Sequence, residues 1–161
     1  MYIESSDSGG TPLLDSSNLS SAWSQVAAVV SAVDATLGKW LTDTHNIGLT
    51  DYHAVLHLSK ASDRELRINE LAQRVHLNQS SATRLVGRLE AKGLAFRDTC
   101  PDDRRGVYAV ITDHGVDVVN TIRESYETKL GELLRNADQQ HAHLNLVDLD
   151  GAFKTIRKLI S

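Results

Sequence analysis

The sequence predicts a mainly α-helical chain with a single small β-hairpin. Three observations predict it. Between Asn69 and Ala91 two short helical patterns follow one another across a turn of a few residues. Directly behind them, Leu94–Asp98 and Val107–Ile111 read as strands on either side of the charged loop Pro101–Gly106. Before and after this unit run long stretches with apolar residues spaced three and four apart, the mark of amphipathic helices.

In chain order, residues 1–18 mix Ser, Asp and Gly with one Pro and show no periodicity, which predicts a disordered tail. A long helix is expected over 19–46, its stripe formed by Trp23, Val26, Ala27, Val30, Val33, Leu37 and Leu41, with Trp40 beside it. Asn46-Ile47-Gly48 breaks that helix. The next one opens with Thr50 as N-cap and Asp51 at the positive helix start, and buries Tyr52, Val55, Leu56 and Leu58. The segment Ala61–Leu66 is then a turn, and Arg67-Ile68 a short strand beside the hairpin. Asn69 is the expected cap of a helix burying Leu71, Ala72 and Val75, and Asn78 that of a helix burying Ala82, Leu85, Val86 and Leu89. This helix stops at Lys92-Gly93, a basic residue followed by glycine. After the hairpin, Thr112 caps a helix to about Asn136 lined by Val116, Val119, Ile122, Tyr126, Leu130 and Leu133. Asp138 caps a last helix in which Leu146, Leu149, Phe153, Ile156 and Ile160 recur at spacings of three and four.

Composition narrows the class. There is no run of about 18 apolar residues that would span a membrane, and the acidic start lacks the basic and apolar regions of a signal peptide, so a cytoplasmic protein is expected. The lone Cys100 excludes an internal disulfide framework and a cysteine-based zinc finger. Net charge is −4, from 17 basic and 21 acidic residues, yet its distribution is uneven. Arg64–Arg105 holds nine Lys/Arg and six Asp/Glu, leaving eight and fifteen elsewhere. A basic head on an acidic body turns one side of the molecule toward a polyanion.

Two helices joined by a tight turn form a helix-turn-helix, whose second helix enters the DNA major groove, and a hairpin behind that helix is a wing. The expected fold is therefore a winged helix-turn-helix lobe over 49–112, with the long helix and the terminal helices of 113–161 making a dimerisation lobe. Within it, LVGRLEAKGLAFRDTCPDDRRGVYAVITDHG resembles the signature of the multiple-antibiotic-resistance regulator (MarR) family. The shared features are a leucine-rich recognition helix ending in KGL, a wing carrying an Asp-x-Arg pair at Asp103 and Arg105, and an IT-x-x-G run into a long helix. The resemblance extends over Leu19–Ile160. One departure is His76, where the turn between the helices usually has glycine. If that position needs positive φ, histidine is among the tolerated types.

DNA binding needs cations for phosphates and short polar groups for base edges. Gln79, Ser80 and Ser81 occupy the first turn of the recognition helix, where free N–H groups favour a phosphate, and Gln79 can instead read adenine. Thr83 suits a thymine methyl or a phosphate, Arg84 a bidentate guanine contact or a phosphate, and Arg88 a phosphate. Arg104 and Arg105 are the cations of the wing. The resemblance implies that Arg105 approaches the minor groove with Asp103 paired to it.

The expected partners are pseudo-palindromic double-stranded DNA and a second copy of the chain, with no membrane and no cofactor. The resemblance further implies a repressor released by a small aromatic or anionic effector bound between the lobes, with Trp40, His45, Tyr52 and His53 as candidate lining. Alternatives are a winged-helix protein-interaction module or a metal- or thiol-responsive regulator. His53 and His57, four apart on one helix, are weak metal candidates without an acidic partner or HExxH motif, and Cys100 is a candidate sensor thiol. No nucleophile–base pair, phosphate loop or catalytic carboxylate pair is present, so no enzyme is expected.

Overall fold

The computed structural model describes residues 19–99 and 106–140. The tail, the wing tip with Cys100, Asp103, Arg104 and Arg105, and the expected last helix from Leu146 to Ile160 lie outside the described residues. The elements run α1 (Leu19–His45), α2 (Leu49–Lys60), a single 3-10 turn (Ser62–Arg64), β1 (Glu65–Arg67), α3 (Ile68–Arg74), α4 (Gln79–Ala91), β2 (Ala95–Thr99), β3 (Val107–Ile111) and α5 (Asp113–Gln140). The three strands form one antiparallel sheet in the order β1-β3-β2, with Ala109 opposite both Leu66 and Arg97.

One buried cluster joins all five helices to the sheet. From α4 it takes Ala82, Leu85, Val86 and Leu89, the predicted stripe. From α5 it takes Val119, Ile122 and Tyr126, with Val116, Leu130 and Leu133 partly buried against them. The stripe on α1 differs from expectation. Val29, Val33, Leu37 and Leu41, four apart, face the core, whereas Trp23 is 68% exposed and Val30 51%. Spacing gave a face to α1, but what α2 and α5 cover decides which edge of that face is buried.

Three cap assignments change for backbone reasons. The N–H of Tyr52 closes on the carbonyl of Gly48 at 2.9 Å, so α2 begins at Leu49 and Thr50 lies inside its first turn. Pairing of β1 runs through Arg67, opposite Tyr108, and Ile68 then starts α3 at once. Asn69 is therefore a first-turn residue and not a cap, and the short strand is Glu65–Arg67, not Arg67-Ile68. Asp138 falls within α5, which continues past Asn136 to Gln140.

Other local predictions hold. The Asn78 side chain accepts the Ser81 N–H at 2.8 Å, capping α4. α3 and α4 end in the same way. Leu77 N–H reaches the carbonyl of Ala72 and His76 N–H that of Gln73; Leu94 N–H reaches that of Leu89 and Gly93 N–H that of Glu90. Each is a Schellman motif, which places one residue in the left-handed region. That residue is Gly93 (φ 67°) after α4 and His76 (φ 56°) after α3. The departure from glycine at His76 is thus a side chain held at positive φ, a conformation histidine tolerates better than bulky or branched residues.

The junction of the hairpin with α5 is the tightest backbone approach among the described glycines. A Cβ on Gly115 would overlap the carbonyl oxygen of Leu94 and stand 2.6 Å from Cγ1 of Ile111. Backbone cannot yield as a flexible side chain does. Gly115→Ala is therefore expected to destabilise the fold by about 2 kcal/mol or more, as overpacking against fixed groups does. Urea unfolding monitored by circular dichroism measures this; an unchanged midpoint would show that α5 can shift without cost.

Candidate nucleic-acid interface

With Ala82, Leu85, Val86 and Leu89 inward, the outer face of α4 carries Gln79, Ser80, Thr83, Arg84 and Arg88. The cap organises its first turn. The Ser80 hydroxyl donates to Oδ1 of the Asn78 side chain at 2.9 Å, and Ser80 itself is exposed. The Thr83 hydroxyl donates to the backbone carbonyl of Gln79 at 2.9 Å, so its methyl and its acceptor side remain for a ligand. Among the described residues the Arg84 guanidinium has no hydrogen-bond or ion-pair partner. It lines an open groove of about 590 Å³ with Thr83, Gly87, Arg88, Ala91 and Arg97.

Arg88 is placed differently from Arg84. It donates to Oδ1 of Asp51 at 3.0 Å, while Lys92 donates to Oδ2 at 3.1 Å. Asp51 is the buried charged residue among those described, its side chain 7% exposed. Two cations and the positive end of α2 together neutralise it, which a buried carboxylate requires. Arg88 is thereby a tether between α4 and α2, with 53% of its side chain still exposed beside Arg84.

Sequence reasoning missed Arg97. Its guanidinium lies 3.2 Å from where a Gly87 Cβ would stand and donates to the Thr83 carbonyl at 3.0 Å. The signal was Gly87 itself, since a glycine inside a helical pattern marks close approach. At the base of the wing Arg67 stacks over the Tyr108 ring, 5.1 Å from its centroid. Asp103, Arg104 and Arg105, the remaining interface candidates, lie outside the described residues.

Residues 45–106 match a family model described as the MarR family. The segment is similar to the winged helices of that family. Over 100 residues the chain is 25% identical to the HTH-type transcriptional regulator MhqR of Bacillus subtilis (strain 168), covering 62% of this chain and 68% of that protein. In fold it is similar to AbsC, a MarR family transcriptional regulator from Streptomyces coelicolor, with a TM-score of 0.72 at 24% identity over 93% of this chain and 98% of that one. A second MarR family regulator from Streptomyces coelicolor, solved in complex with DNA, gives a TM-score of 0.72 at 22% identity over 93% and 90%. These relatives are described as transcriptional regulators.

Among the described residues, the four expected to line an effector cleft have different surroundings. Trp40 borders a groove of about 550 Å³ against α5, formed with Thr121, Glu124, Ser125, Thr128, Lys129 and Glu132. His45, edge-on to Trp40 at 5.2 Å, borders a smaller one of about 260 Å³ with His114, Asp117 and Thr121, and among the described residues its buried Nε2 has no partner. Tyr52 is instead a core residue, fully buried, its ring 4.8 Å from that of Tyr126 and its hydroxyl unpartnered. Burial pushes its phenol up to about 12. His53 is bonded through Nε2 to the Tyr126 hydroxyl at 2.9 Å. The reason is rotation: α2 turns Tyr52 and His53 onto Tyr126, whereas Trp40 borders another face of the same turns of α5 and His45 lies nearer the start of that helix.

Burial holds the imidazoles of His53 and His57 below their ordinary range, the second lowered further by Arg74. Among the described residues no three of His, Cys, Asp and Glu lie close enough to hold a metal. None of the described helices is long and apolar enough to cross a membrane.

The Asp51 tether has a measurable consequence. Asp51→Ala is expected to lower stability by ~1–3 kcal/mol, the range for losing hydrogen bonds to a charged group, since the freed Arg88 and Lys92 can hydrate. In a double-mutant cycle with Arg88→Ala the two losses should be less than additive. Strict additivity in denaturant titrations would mean that the pair does not act together.

Proposed function

We propose that the chain is a homodimeric, sequence-specific regulator that binds double-stranded DNA through α4 and the wing, and represses transcription until a small effector lowers its affinity. The observation that carries the DNA reading is the outer face of α4. It offers a capped, exposed first turn, short hydroxyls, and in Arg84 a guanidinium without a partner among the described residues, beside the tethered Arg88. Gln79, Ser80 and Ser81 would meet a phosphate or an adenine edge, Thr83 a thymine methyl, and Arg84 a guanine; Arg88 would add a phosphate contact with the part of its side chain left exposed. Asp103, Arg104 and Arg105 would extend the contact at the wing. A protein of similar fold, solved in complex with DNA, is consistent with a DNA-binding role.

Dimerisation is supported by apolar surface that one copy leaves uncovered. Trp23, Val30 and Leu134 are exposed on α1 and α5, and the sequence beyond α5 carries a further apolar repeat from Leu146 to Ile160. Two copies would place two α4 helices on half-sites one turn of DNA apart.

For the effector, the adjoining cavities around Trp40 and His45 support a site better than the pair Tyr52 and His53, which the core already uses. The unpartnered Nε2 of His45 suits a carboxylate or hydroxyl, and Trp40 an aromatic ring, within a groove shared by α1 and α5. A protein-interaction module would not need an exposed polar recognition face. A metal-responsive role would need His53 to give up its bond to Tyr126, and a thiol-responsive one would rest on Cys100.

Selection of bound sequences from random duplex DNA is the direct test. A pseudo-palindrome bound by two chains is expected. On that operator Arg84→Ala should cost ~1–3 kcal/mol and relax preference at one position per half-site. Arg105→Ala should weaken many sequences alike and make the log–log salt slope less negative by about 1. Enrichment of no sequence, together with capture of a defined protein partner, would replace the DNA reading with the interaction module.

Titrating phenolic carboxylates and Zn²⁺ separately against the preformed complex tests release. Release by an organic acid that is lost in His45→Ala, with DNA binding intact, is expected; tenfold release corresponds to ~1.4 kcal/mol of differential binding. Release by Zn²⁺ lost in His53→Ala would favour the metal reading, and no release in wider screens a constitutive binder.

A further inference from the structure

The groove along the outer face of α4 contains a cation that belongs to the wing. Arg97 lies mid-way along β2, which pairs on one side only, with β3. Its backbone N–H therefore points away from the sheet, and it donates to Oε1 of Glu90 at 2.8 Å. An edge-strand donor is in this way satisfied by the last full turn of α4 and not by water. The side chain then runs back along the helix. Nε approaches Oε2 of Glu90 at 3.5 Å and Nη2 donates to the Thr83 carbonyl at 3.0 Å. Thr83, Gly87 and Ala91 are spaced four apart on one face, and the guanidinium lies across the middle one. A Cβ at Gly87 would be 3.2 Å from Nη2, tighter than most side-chain contacts allow. Glycine in a helix interior is otherwise unfavourable, so its presence under the guanidinium is a second, independent sign of the same contact.

We propose that Arg97 is a positioning residue that clamps the first strand of the wing onto the exposed face of α4, with Gly87 as its seat, and so fixes the angle between recognition helix and wing. The inference rests on the DNA-binding reading above and adds a residue to it. The base of the hairpin is held by the pairing of β3 with β1 and by the bond from Thr112 to Leu94, and Arg97 adds a hold further out along β2. Bonds from one residue to Glu90 and to Thr83, seven positions apart on the helix, oppose rocking along the helix axis. They also hold Arg97 among Arg84 and Arg88 in the groove, where a phosphate drawn to those cations would meet a guanidinium already oriented.

The test uses the full chain on its selected operator. Arg97→Ala and Gly87→Ala are expected to weaken binding roughly three- to tenfold at moderate salt, with a salt slope less negative by about 1. Hydroxyl-radical footprints should lose protection at the flanks reached by the wing while base preferences set by α4 stay. Arg97→Lys, which keeps the charge but not the fork, should recover only part of the loss. Gly87→Ala separates positioning from stability, because alanine is the better helix former and the variant should melt no lower than the wild type. Unchanged affinity and footprint in both variants would overturn the proposal. So would uniform loss of all contacts accompanied by a lowered melting temperature. If the wild-type chain selects no DNA, the functional reading fails on its own account. Amide exchange on the free protein then decides the clamp: faster exchange confined to β2 and β3 in Gly87→Ala upholds it, and unchanged exchange refutes it.

Discussion

The carbonyl oxygen of Leu94 is where the helices and the wing are locked together. It accepts the N–H of Thr112, and the Cα of Gly115 packs against it with no room for a side chain. The N–H of the same residue closes the cap of α4 onto Leu89. Thr112 adds a second tie, donating its hydroxyl to the Gly93 carbonyl at 2.7 Å and accepting the Gly115 N–H at 3.0 Å as the cap of α5. The end of the recognition helix, both strands of the wing and the start of α5 therefore converge within a few residues. A displacement of α5 cannot be absorbed there by side-chain movement. The start of α5, the base of the wing and the end of α4 are thus tied through backbone contacts.

Electrostatics divides the cations of α4 by task. Arg88 and Lys92 serve the buried Asp51 and bind α4 to the start of α2, while Arg84 is left without a partner among the described residues. Arg97 returns from the wing to the same face. Charge counting alone treats these residues as one basic patch. Their partners show that part of the patch, Arg88 and Lys92, holds the helix in place, while Arg84 is left without a partner among the described residues.

The contacts between α2 and α5 have a different character. Tyr52 and Tyr126 lie ring to ring in the core, and His53 reaches the Tyr126 hydroxyl. This cluster is closely packed, whereas the cavities beside Trp40 and His45 leave open space; among the described residues each region holds one buried polar atom without a partner, the Tyr52 hydroxyl and Nε2 of His45. A molecule entering those cavities would bear on α1 and α5, and the Leu94 junction connects α5 to the wing.

The sequence by itself determined what depends on a few neighbouring residues. The cap at Asn78, the inward stripe of α4, the left-handed stop at Gly93, the strand Val107–Ile111 and the cap at Thr112 are all settled by local hydrogen bonding and helical periodicity. For the same reason the MarR resemblance was readable, since its motif is made of such signals. Tertiary structure alone decided the rest. Asp51 meets Arg88 and Lys92 across 37 and 41 positions, Arg97 meets Thr83 across 14, and His53 meets Tyr126 across 73. Periodicity does not encode such pairings. Nor does it distinguish Val29, which is buried, from Val30, which is not. Adjacent helical positions point about 100° apart, and only the placement of α2 and α5 against α1 selects between them.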